Sequence, residues 1–561
     1  MILAAEQLQH GDYVVLVGYF ILMLGIGAYF YRYMRGIGDY FSGGNRIPWW
    51  LSGVSFYMSS FSAFTFVAYS ELAYKHGFVA VTLYWVTAPA VLIGALLLSW
   101  RWRRARIVSP VEYLESRFSL GIRQTFAWTN VPVRIIDDGL RLLAIGYFVS
   151  RGLGLPLEKS IFWSGVIILV YTFMGGLWAV TVTDFLQFIV MMAGIVLLVP
   201  LSLARVGGFS GLVSGSPKGF FCWTDTEHPW SYVLVFFLLI LLMYNTNFAL
   251  VQRYYCVRDE RDARRVGLLV AGLNVLGPPI FFLPAMAARQ FLPDADPAKI
   301  YGAICVTLLP VGTLGLIIAA MFSATMSALS SDYNVVASVL TNDVYRRLID
   351  RNASERRLVL VGRAMTLLIG VIALGVAMFI AVYKGEGTLF RKMVKLFSVA
   401  GPPMAIPMLA GLLWRRCSNI GALSGFLCGV IVGLTAFTFG AAENIITLAT
   451  IGTTLVIMVV ASLVFPAGPA ERVRNRDFAD RLDNPVETPD TLDHLHGVPS
   501  PFKVVGISTA LVGVLVLLVL PYVEDKIAFV TDLGVGLVLI VIGGVMYMFH
   551  ILRSTARENK L

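Results

Sequence analysis

Apolar residues run along this chain in stretches long enough to cross a membrane. A crossing helix needs about 20 mostly apolar residues, because in hydrocarbon its backbone polar groups must be paired internally. Fifteen stretches fit: 12–34, 47–74, 78–100, 122–150, 157–175, 177–204, 231–252, 264–290, 311–345, 357–384, 390–415, 419–440, 444–466, 503–523 and 528–552. The stretch 311–345 is too long for one simple crossing and is expected to tilt, bend or extend into water. The N-terminus lacks the basic segment of a cleaved signal, so its first apolar stretch is expected to remain as an anchor.

The polar positions between these runs give an orientation. Arginines cluster after the third span (Arg101, Arg103, Arg104, Arg106), the seventh (Arg253, Arg258, Arg261, Arg264, Arg265), the ninth (Arg346, Arg347, Arg351, Arg356, Arg357) and the eleventh (Arg415, Arg416). If the spans alternate, all four loops lie on one side, and the intervening loops carry few basic residues. The positive-inside rule then puts the N-terminus outside and the C-terminus inside. One longer polar stretch, 467–502, reads as a cytoplasmic linker.

Composition agrees with this reading. Hydrophobic residues are 57% and charged residues 14% of the 561, against roughly 25% charged in soluble domains. The net charge of +10 therefore reports topology rather than nucleic-acid binding. Five scattered cysteines without CxxC spacing argue against a zinc or disulfide framework. No GxxxxGK[ST], HExxH or GxSxG occurs, so nucleotide hydrolysis and intramembrane catalysis are not expected.

Chemistry is then sought among polar groups inside the spans. The second span holds Ser52, Ser55, Ser59, Ser60, Ser62, Thr65 and Ser70, and its Met58–Ser62 run is a poor helix core. Taken alone it reads first as a small-residue packing face, with a broken, ion-binding helix as the sharper reading. In 319–334, Ala324, Ser327, Ala328 and Ser331 share a narrow face, with Asp332 a turn beyond Ala328. Hydroxyls beside a carboxylate exceed what packing requires and suit a hard cation. Asp184 opens an apolar span, where it is either a functional carboxylate or an interfacial cap. Arg134, Asp137, Asp138 and Arg141 have the spacing of a self-neutralising ion-pair network, with a substrate-carboxylate clamp as the alternative.

Several segments together resemble the sodium/solute symporters, the family of sugar, proline, iodide and sialic-acid cotransporters. They are Phe41-Ser-Gly-Gly-Asn-Arg-Ile-Pro-Trp-Trp, Pro110-Val-Glu-Tyr-Leu-Glu-Ser-Arg-Phe, Gly175–Gln187, Val251-Gln-Arg-Tyr, Ser327–Asn334 running to Thr341–Tyr345, and Gly401-Pro-Pro, within about residues 12–440. The resemblance implies an all-α LeuT-type fold of two inverted five-helix repeats, about 47–204 and 231–415. Around them would lie an N-terminal helix and loop (1–46), an extracellular loop (205–230), peripheral helices (416–466), the linker and a C-terminal pair (503–561).

Carried over by residue, the resemblance implies a main sodium site from the carbonyls of Met58, Phe61 and Ala324 and the hydroxyl of Ser327. The family usually has a second hydroxyl where this chain has Ala328, which removes one oxygen ligand. A second sodium site, present in some members, matches Asp184, Ser330 and Ser331. Asp332, near the position of Ala328, is a candidate coupling carboxylate.

For the substrate, Ser59, Ser60, Ser62, Thr65, Tyr84, Asn247, Arg134 and Val394 are candidate contacts, and only Asn247 matches the sugar-carrying relatives well. Arg134, Arg141, Lys392 and Lys395 would suit a small anion. The expectation is a sodium-coupled importer of a small polar solute at the plasma membrane, with a slight preference for an organic anion such as a monocarboxylate or sialic acid. A sodium/sugar symporter and a transport-like sensor are the alternatives, and no obligate protein partner is evident.

Overall fold

The computed structural model describes residues 10–31, 47–107, 110–174, 177–309, 313–383, 388–486, 501–523 and 526–558. The Phe41–Arg46 part of the first motif and Gly175-Gly176 lie outside them. Among the described residues every regular element is a helix, which pairs the backbone polar groups internally as lipid demands.

After α1 (His10–Tyr31), α2 (Trp49–Ser60) and α3 (Ala63–His76) form one span bent by 58°. The break lies where the serine run is a weak helix core: Phe61 (ψ 149°) and Ser62 (φ −157°, ψ 174°) are extended. Next come α4 (Val79–Arg104), α5 (Pro110–Arg117), α6 (Leu120–Leu153), α7 (Leu157–Met174), α8 (Leu177–Arg205) and the short α9 (Gly208–Ser214). A second bent pair follows, α10 (Trp230–Thr246) and α11 (Phe248–Tyr255), angled at 54°. This break interrupts what the sequence presented as one span, 231–252. Asn247 makes it: its side chain accepts from the backbone N–H groups of Ala249 and Leu250, starting a new helix inside an apolar run.

The second half continues with α12 (Glu260–Phe291), the short α13 (Ile300–Leu308), α14 (Thr313–Val339), α15 (Glu355–Tyr383) and α16 (Leu389–Leu413). Thus each half opens on a bent pair and continues through four long helices. Helices α17 (Asn419–Thr438), α18 (Glu443–Val464), α19 (Pro469–Asp483), α20 (Pro501–Leu517) and α21 (Lys526–Glu558) complete the chain.

By length and apolarity, 11 described helices qualify as spans, or 13 with each bent pair taken as one. The fifteen expected spans also included the regions of α6 and α7, which are not in that set. The long ninth stretch continues as a π-helix, Leu340–Ile349. Every residue of α14 is buried, so it forms the centre of the bundle, packed against α1, α2, α6, α8 and α15.

The expected basic loops converge at one end. Arg104 pairs with Glu260 at 2.9 Å, Arg347 with Glu115 at 2.6 Å and Arg415 with Asp483 at 2.8 Å. Buried Arg117 donates to the carbonyl of Gly411 and to Asn475 Oδ1. Asp483 and Asn475 belong to α19, so the first half of the stretch read as a linker is a helix. It buries Phe478, Ala479 and Leu482 against the basic end, an apolar face too short and widely spaced to stand out among its charges.

Candidate functional site

The first break places backbone oxygens beside the central helix. Phe61 N–H donates to the Met58 carbonyl at 3.1 Å. Thr325 Oγ1 accepts from Ala63 N–H at 3.0 Å, fixing the start of α3 against α14. Thr325 was not among the sequence candidates, and its hydroxyl lies on α14 between Ala324 and the Ser327 position. Ala324, Ser327 and Ala328 are all buried on that helix. Among the described residues, Ser327 Oγ and Asp184 Oδ1 each lack a hydrogen bond of regular geometry. The two side chains lie beside one another, and Ser55 donates to the other Asp184 oxygen. Buried oxygens held side by side without full hydrogen bonding are costly, and such a pair can hold a small cation.

The residues assigned to a second site are distributed differently. Ser330 Oγ donates back to the Ser327 carbonyl at 3.1 Å. Ser331 Oγ accepts from Arg253 Nη2 at 2.9 Å and lies 3.2 Å from Ser59 Oγ. Arg253 also donates through Nε to Ser55 Oγ at 2.8 Å, and its Nη2 lies 3.8 Å from Asp184 Oδ2. Both charged side chains are fully buried. Arg253 had been counted among the arginines of a surface loop. The break at Asn247 turns α11 inward and carries Arg253 into the bundle.

A cavity of about 90 Å³ opens beside the same break. Ser59, Ser60, Ser62, Thr65, Tyr84 and Asn247, all candidate substrate contacts, line it. Arg134 and Val394 do not; Val394 faces a separate crevice with Tyr232, Phe236 and Glu443. Tyr69, Thr87, Tyr244, Asp137 and Arg141 line the cavity and had not been assigned as substrate contacts, apart from Arg141 as a general anion-attracting charge. Tyr69 stacks on Phe282 at 5.5 Å and meets Tyr84 edge-on at 5.0 Å, giving the cavity aromatic walls between hydroxyl groups.

Behind it lies the ion cluster. Arg141 pairs with Asp137 at 2.8 Å and Asp332 at 3.2 Å. Arg134 lies 3.9 Å from Asp137 and 3.7 Å from Asp332. The structure thus forms the internal network, and it adds Asp332, whose carboxylate faces these two guanidinium groups. Both oxygens of buried Asp138 lack hydrogen-bond partners among the described residues.

Two bent helices crossing a fully buried one, with unpaired oxygens and a polar cavity at the breaks, define a secondary transporter of the LeuT type. A solved substrate-bound, outward-open sodium-coupled sialic acid symporter has the same fold. Its TM-score is 0.73 at 23% identity, covering 82% of this chain and 98% of that one. The sodium:solute symporter family model matches residues 40–429. This chain belongs to the sodium:solute symporter family: it is a multi-pass membrane transporter that uses sodium, and not an enzyme. Human sodium/myo-inositol cotransporter 2 is 30% identical over 76% of this chain and 70% of its own length. The sodium/sialic acid symporter NanT of Aliivibrio fischeri is 27% identical over 75% of this chain and 86% of its own.

Proposed function

We propose that the protein imports a small polyhydroxylated solute across the plasma membrane with sodium, by alternating access between two inverted repeats, 47–204 and 231–415. The observation carrying this is the junction of the Phe61–Ser62 break with Ser327 and the hydroxyl-lined cavity. Sodium held by the Met58, Phe61 and Ala324 carbonyls and Ser327 Oγ would fasten α2 and α3 to α14. Solute in the adjoining cavity would favour the same arrangement, so each ligand would raise the affinity for the other.

The cavity's charge bears on the solute. Two guanidinium groups face the carboxylates of Asp137 and Asp332, and the Asp138 carboxylate lies within 4.8 Å of both. A solute carboxylate would find no surplus positive charge there. We therefore place neutral polyols and sugars, the class of the myo-inositol relatives, ahead of the organic anions favoured by the isolated arginines. Arg141 on the cavity wall keeps an acidic sugar, such as sialic acid, as the second reading. A thermal-shift panel in sodium against choline decides between them. Sodium-dependent stabilisation by neutral polyols is expected, and stabilisation by monocarboxylates alone would overturn the assignment.

The sodium site makes its own prediction. Ser327→Ala removes an oxygen from a site already one hydroxyl short at Ala328, and it should raise the sodium concentration for half-maximal uptake about tenfold, roughly 1.4 kcal/mol. Ala328→Ser should lower it. Sodium titrations of both variants check this, and unchanged curves for both would remove the assignment.

A further inference from the structure

At the end of the bundle opposite the arginine-rich loops, two histidines and an aspartate converge from distant parts of the chain. His76 is the last residue of α3, while Asp225 and His228 lie in the segment before α10. His76 Nδ1 is 2.7 Å from Asp225 Oδ2, and His228 Nδ1 is 2.9 Å from Asp225 Oδ1. One ligand atom from each lies within 4.8 Å of the others. Their side chains are 20%, 26% and 11% exposed, which leaves them open to water without being loose.

The frame around them is built. Asp225 Oδ1 accepts from His228 N–H at 2.6 Å. Phe78 N–H donates to the Phe220 carbonyl at 2.9 Å, clipping the same segment to the turn after α3. Gly77 makes this contact possible. Its φ is +63°, and a Cβ there would lie 2.0 Å from Phe220 O.

We propose that His76, Asp225 and His228 form a site for a borderline divalent cation of the zinc class, which ties the segment before α10 to the outer end of α3. Two imidazole nitrogens and a carboxylate oxygen are a familiar three-ligand set for such ions, with a fourth position left for water. Bonds of about 2.0–2.1 Å place tetrahedral ligands roughly 3.3 Å apart, so the two histidine–aspartate contacts need open by only about half an ångström. Helix α3 begins at the Phe61–Ser62 break, so a cation at its far end would restrain a segment that alternating access must move. This consequence rests on the transport reading above; the site itself does not.

The test measures zinc binding to the purified full-length protein by competition with a chelator, alongside uptake with zinc on the loop side. Wild type is expected to bind one zinc ion per chain. His228→Gln, which can still hydrogen-bond Asp225, should bind about tenfold or more weakly, since even outer-shell partners are worth 10–100-fold in metal affinity. His228→Gln should also keep its sodium-dependent solute response, and zinc should slow uptake by wild type more than by the variant. Equal zinc affinity in the two proteins, or equal slowing of uptake, overturns the proposal. Zinc binding lost in His228→Gln, in a wild type whose ligand response ignores sodium, would instead point to failure of the transport reading.

Discussion

Arg253→Gln should leave little folded protein in the membrane. The guanidinium is fully buried and holds Ser55, Ser59 and Ser331 at 2.8, 3.2 and 2.9 Å. It is also the cation beside Asp184, 3.8 Å away. Removing it strands a buried carboxylate, a change that costs roughly 3–5 kcal/mol, against total stabilities of about 5–15 kcal/mol. Neutralising the partner should recover part of the loss, so Arg253→Gln/Asp184→Asn is expected to be more stable than Arg253→Gln alone. Thermal unfolding of the solubilised variants reads this directly. A solvent-facing arginine would cost under about 0.5 kcal/mol, so a melting temperature unchanged in Arg253→Gln would contradict the buried pair.

Arg141→Gln has the second largest expected effect, and it separates the structural from the substrate role of that arginine. Its guanidinium joins Asp137 and Asp332 and also lines the cavity. Without it, Arg134 alone, 3.7 to 3.9 Å from two of the carboxylates, would face three acidic groups. Loss of roughly 3–5 kcal/mol is expected, together with loss of uptake. Asp332→Asn should be milder, because it reduces an excess of carboxylates over guanidinium groups. The double variant Arg141→Gln/Asp332→Asn should regain stability relative to Arg141→Gln. If Arg141→Gln keeps its melting temperature and loses response only to acidic solutes, the guanidinium serves the substrate, and the neutral-solute reading gives way.

These two arginines also show what the sequence conceals. The first helix break was only half legible: serines stand where a helix core wants alanine or leucine, but the run reads first as a packing face and only second as a broken helix. The second was not, because a single asparagine cap is lost among the apolar residues of 231–252. With that break unseen, Arg253 looked like one more charge of a cytoplasmic loop. Asp332 had a similar fate: its neighbours on α14 are small and hydroxylated, but its charge partners lie nearly two hundred residues earlier on α6. Local spacing paired Arg134 and Arg141 with Asp137 and Asp138, and only the packing of α6 against α14 brings in the third carboxylate. The cavity was legible where α2 and α3 supply its wall. Tyr84 and Asn247 were reached through the family resemblance, whereas Thr87, Asp137 and Tyr244 enter through packing, which periodicity does not encode.

The central claim is that sodium at the α2–α3 break drives solute movement. The most direct measurement is accumulation of a labelled neutral polyol by proteoliposomes holding the purified protein, with sodium or choline outside and an imposed membrane potential. An inside-negative potential adds about 2.3 kcal/mol per charge for each 100 mV. Concentrative uptake with sodium that rises with this potential is expected, with no accumulation in choline and a weaker sodium response in Ser327→Ala. Uptake of equal rate and extent in sodium and choline would contradict it.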